Sequence, residues 1–138
     1  MDCRQQARKI YEICVLSAKR GKTLSYRDVL DHLGYKRQVQ GHSIRYELEL
    51  VWIACAHSKL PILTSIVITQ ATGEPNAAGY SVADWEKDAE EVFGQGKWPG
   101  VDEIDWDYVW THRVDLSNAH GTRGYWKSSQ RNSDRRVN

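Results

Sequence analysis

Cysteine is scarce in this 138-residue chain, and the three that occur, Cys3, Cys14 and Cys55, form an odd set with no close pair. That excludes a disulfide framework and a zinc site built from paired cysteines, and it implies reduced thiols and a cytoplasmic location. Long apolar runs are missing as well. No stretch approaches the ~20 residues that span a bilayer, and the start "MDCRQQARKIYEIC" carries charge where a secretory signal has its apolar region. The sequence therefore predicts no membrane segment and no export by that route. Phenylalanine occurs once, at Phe93, so the aromatic part of any core must come from the six tryptophans and seven tyrosines.

A large excess of either charge is also absent, since the formal net charge is +1. The small sum hides a segregated distribution. Residues 1–49 hold ten Lys or Arg against six Asp or Glu, whereas residues 83–110 set nine acids against Lys87 and Lys97. From residue 111 onward six basic residues face only Asp115 and Asp134. Basic ends and an acidic middle can build a basic face without a high isoelectric point, or each run can simply solvate its own surface. The length fits one domain with a core of its own, and we divide the chain into a domain over 1–110 and a basic polar tail over 111–138.

Periodicity places the elements. Ala7, Ile10, Tyr11, Cys14 and Ala18 recur at three- and four-residue steps, which predicts a helix over 4–20 closed by Gly21. In "LSYRDVLDHLG" Ser25 is a good N-cap, Asp28 stands where a capping-box acid belongs, Leu24 can staple onto Val29, and Gly34 supplies a stop. A third helix carries Ile44, Leu48, Val51 and Cys55 on one stripe, widened by Trp52, and ends near Pro61. The run through Leu63, Ile66, Val67 and Ile68 reads as a strand, broken by a turn at Thr72-Gly73-Glu74-Pro75. Farther on, Asp84, Asp88 and Glu91 form the solvated side of a helix that packs Trp85, Ala89, Val92 and Phe93 behind it.

Three helices, a strand, a turn and a returning segment have the order of a winged helix-turn-helix, an α+β fold in which the N-terminal part of the third helix faces outward and a β-wing lies beside it. A C-terminal helix and the basic tail complete the expected architecture. The start of the third helix is rich in groups that bond phosphates or base edges: Lys36, Arg37, Gln38, Gln40, His42, Ser43 and Arg45. Tyr26 and Arg27 open the second helix, and Thr69, Gln70 and Asn76 belong to the wing tip. In the tail, Arg123 and Lys127 flank Tyr125 and Trp126, a mixture suited to phosphates and base stacking. These residues are the expected contacts to double-stranded DNA.

The segments "GKTLSYRDVLDHLGY", "RQVQG" and "LPILTSIVITQATGEPNAAGY", covering roughly Gly21 to Tyr80, resemble the winged-helix domain of alkylguanine DNA alkyltransferases and alkyltransferase-like proteins. Ser25-Tyr26 matches the family's helix start, Pro61 and Val67 fall near its strand motif, and Gly79-Tyr80 closes the unit. The resemblance implies a DNA-binding winged helix. It also argues against alkyl transfer, because Ile62 stands where the family has its acceptor cysteine, no His-Arg pair follows, and Gln40 interrupts the Arg-Val-Gly spacing.

Other chemistry finds little footing. Thr64 and Ser65 are the hydroxyls nearest the proline, with no His or Asp close in sequence to activate them. Cys55 and His57, two apart on a helix, face different directions. The histidines at 32, 42, 57, 112 and 120 lack zinc spacing, so no metal or cofactor is expected. The sequence thus points to a non-catalytic DNA-binding protein, a regulator or accessory factor of a mobile-element or defence system. A second reading uses the acidic, aromatic region 84–110. There Asp102, Glu103, Asp105 and Asp107, interleaved with Trp98, Trp106, Tyr108 and Trp110, could dock on a basic protein, as an inhibitor or immunity protein acting on a nucleic-acid enzyme would. Alternatively those aromatics pack on the first helix and the wing.

Overall fold

The structure, a computed structural model, describes residues 2–35, 44–70, 72–75 and 85–120. Of the expected DNA contacts, Lys36, Arg37, Gln38, Gln40, His42, Ser43, Asn76, Arg123 and Lys127 lie outside the described residues. The rest of the chain is α+β, with six helices and a small two-stranded parallel sheet among the described residues. No described helix is long and apolar enough to cross a membrane.

The first helix, α1, runs Cys3–Lys19. Asp2 caps it by accepting from the Gln5 amide at 2.9 Å, and the Asp2 amide donates in turn to Gln5 Oε1. The helix buries the stripe Ala7, Ile10, Tyr11, Cys14 and Ala18, as its periodicity requires, and the chain then reverses at Gly21, whose φ of 69° suits glycine. Strand β1, Leu24–Ser25, leads directly into α2, Tyr26–His32, where Ser25 and Asp28 form the expected capping box. Gly34, at φ 91°, follows its end.

Helix α3, Arg45–His57, is the centre of the molecule. It is apolar on every side over Leu48 and Leu50–Cys55, all buried against α1 on one flank and the C-terminal helices on the others. Two carboxylates, Glu47 and Glu49, are buried within it. The segment Leu63–Ile66 is a 3₁₀ turn and not the first half of a strand. Its four side chains are all buried, packed among α1, α3 and α4, and a two-sided strand cannot bury four consecutive side chains against one surface. Strand β2 is consequently only Val67–Ile68, paired in parallel with β1 in the register Leu24 to Val67 and Ser25 to Ile68. The chain then turns back over Thr69–Glu74, with Gly73 at φ 71° and a bridge from Ile68 to Pro75.

Helix α4, Trp85–Gly94, buries Ala89 and Val92, but Phe93 points outward at 36% exposure and is not part of the packed face. A short turn at Val101–Glu103 precedes α5, Trp106–Thr111, and α6, Arg113–His120. Both helices pack on α3. Residues 113–120, beyond the boundary expected at residue 110, pack on the same helix α3 as the elements before it. Val114 and Leu116 of α6 pack against the core, and the buried Ser117 hydroxyl donates to Glu49 Oε2 at 3.0 Å.

Candidate nucleic-acid interface

Local chemistry explains why Tyr26 sits where it does. The Ser25 cap fixes the first turn of α2, and β1 pairing with β2 fixes that cap beside Ile68. Residues following each strand are thereby neighbours, so Tyr26 and Arg27 open α2 next to Thr69 and Gln70, which open the turn. The Tyr26 ring packs against the core, and its hydroxyl accepts a hydrogen bond from the buried Ile44 amide at 3.2 Å. Ile44 is the residue before α3. One side chain thus joins the start of α2 to the start of α3, with the exposed Arg45 next in line.

Of the five expected contacts within the described residues, the strand register sets Tyr26 and Arg27 near Thr69 and Gln70, and Arg45 follows Ile44, whose amide the Tyr26 hydroxyl holds. Arg27 is half-buried, Arg45 is exposed with its guanidinium 5.6 Å from the Tyr46 ring, and Gln70 is exposed. Thr69 is less available. Its hydroxyl lies 2.7 Å from that of Thr72 and accepts from the Thr72 amide, while its own amide donates to Glu74 O at 2.9 Å.

The acidic region is spent largely on the fold. Trp98 and Trp106 are buried; Trp106 stands edge-on to Tyr11 at 5.8 Å and donates its indole N–H to Val101 O at 2.9 Å. Tyr11 donates to Pro99 O at 2.7 Å, so α1 holds this region in place. Asp107 pairs with Arg4 at 3.1 Å, and Asp102 pairs with Arg8. Both Arg4 and Arg113 approach the Trp110 ring, at 5.5 and 4.0 Å. Only Tyr108 among these aromatics is exposed, and its ring is stacked between His57 at 5.0 Å and His112 at 4.1 Å.

Burial pushes all three thiols upward, Cys55 to about 12 and Cys3 and Cys14 higher still, so none is a thiolate at neutral pH. Ser65 donates to Ile62 O at 2.7 Å and Thr64 is buried, which leaves neither hydroxyl placed beside a base. His32 and His112 are engaged with the carbonyls of Asp28 and Tyr108. The described residues contain no group of three or more His, Cys, Asp or Glu able to hold a metal.

Sequence reasoning missed Glu47 and Glu49. Burial raises Glu47, partly offset by its own backbone amide. Two acids inside the most apolar window of the chain were the available signal. Compared with known proteins, the chain matches no family model, no curated protein and no solved structure.

Proposed function

We propose that this chain is a non-catalytic protein that binds double-stranded DNA, with β1, α2, α3 and β2 acting as a winged helix-turn-helix. The start of α3 faces the duplex, and the turn after β2 serves as the wing. The observation that supports this reading is the Tyr26 hydroxyl on the Ile44 amide, which links the residue before α3 to the start of α2, beside the end of β2. Cationic Arg27 and Arg45 supply phosphate contacts there, and the unbroken basic run Lys36-Arg37 between α2 and α3 adds to them in sequence. Protonated, buried thiols support a role without covalent chemistry.

The alternative, a protein-binding inhibitor acting through 84–110, receives less support. Trp98 and Trp106 are buried and Asp102 and Asp107 are already paired with α1. A gel-shift titration against random duplex DNA, comparing the parent with Arg27→Ala/Arg45→Ala, tests the proposal. Binding by the parent and a marked loss in the variant are expected.

A further inference from the structure

We infer that the outer face of α1 around Leu16 pairs with the same face of a second copy of this chain, the two α1 helices running antiparallel. Leu16 is 55% exposed, the most open of the large hydrophobic residues among those described. It separates two shallow grooves. One is floored by Val15, Trp98, Pro99 and Val101, and the other by Ile13 and Leu24. An apolar knob between two apolar clefts is the shape that a like knob can fill.

The charges around Leu16 indicate what covers it. Glu12, Val15, Leu16 and Lys19 lie on one face of the helix, at the spacing of a helix–helix seam. Glu12 and Lys19 are equally distant from the midpoint between Val15 and Leu16. A two-fold axis through that midpoint therefore sets Leu16 against the partner's Val15 and Glu12 against the partner's Lys19, twice over. Such a surface is self-complementary, which is the requirement of an isologous contact. Both charged residues are exposed, and neither forms an ion pair among the described residues. A partner of single-sign charge would satisfy one and repel the other. The inference does not rest on DNA binding, because the face belongs to α1 whereas Tyr26, Arg27 and Arg45 belong to α2 and α3.

Sedimentation equilibrium without DNA, over a micromolar-to-millimolar range, tests it. The parent chain is expected to show a reversible monomer–dimer equilibrium, and Leu16→Lys to remain monomeric. Leu16→Gln, a milder change, should weaken the dimer in the same direction. Glu12→Lys and Lys19→Glu should each raise the dissociation constant roughly tenfold, through two lost pairs and new like-charge contacts, and the double variant should recover most of it. Circular dichroism on each variant reports the fold. A monomeric parent, a dimer insensitive to Leu16→Lys, or a folded double variant as weak as the singles would each overturn the inference.

Discussion

The Tyr26 hydroxyl and the Ile44 amide, 18 residues apart in sequence, meet at 3.2 Å, and this bond links the residue before α3 to the start of α2. Ile44 is fully buried, so its amide has no water to turn to if the hydroxyl is removed.

Tyr26→Phe keeps the ring and removes the hydroxyl that accepts from the Ile44 amide. We expect a loss of about 1–2 kcal/mol in urea unfolding and, on the proposed function, a weaker DNA complex at unchanged salt slope, since no phosphate contact is removed. An unchanged unfolding midpoint would mean that the bond does not hold α3.

Ser117→Ala removes a donor to the Glu49 side chain, which is only 1% exposed. A typical intramolecular hydrogen bond contributes about 0.5–1.5 kcal/mol net, and a loss of at least that size is expected. Truncation after Trp110 discards α6 altogether and should abolish the cooperative melt. A truncated chain that still melts cooperatively would support a domain boundary at 110.

These two cases mark what the sequence can disclose. Helix α2 was legible because its signals are local: Ser25, Asp28 and Gly34 act within one or two turns of themselves. The α1 stripe was legible because a single apolar face generates a period. The Leu63–Ile66 turn was not, since a short run buried on all sides has no period and reads the same as a strand or a buried turn. Nor was α6, whose single buried residue is a serine anchored to a glutamate 68 positions away. No local pattern encodes such a partner. For the candidate site, residue types were legible from charge and polarity, whereas the link through Tyr26 required the register of β1 on β2.

Glu47 gives a pH prediction of definite sign. Its carboxyl is raised above 4.5 by burial, so between 4.5 and its folded value the folded chain holds a proton that the unfolded chain has released. This contribution to stability is fully present below 4.5 and is lost as pH rises through the folded value. Glu47→Gln should therefore raise the melting temperature at neutral pH, with a gain that shrinks toward pH 4.5. A gain independent of pH, or a loss at neutral pH, would contradict the assigned cause.

The most direct test of DNA binding is fluorescence anisotropy of a labelled random duplex, titrated with the parent chain and with Arg27→Ala/Arg45→Ala across a salt series. Both side chains are outside the packed core, so the variant should melt within a degree or two of the parent. If both arginines touch phosphates, the slope of log affinity against log salt should flatten by roughly 1.8, at about 0.9 for each contact. Affinity should fall alike for specific and random sequences if the contacts are to backbone alone. A parent chain that fails to bind duplex DNA at low salt, or a folded variant with the parent's affinity and slope, would contradict the account.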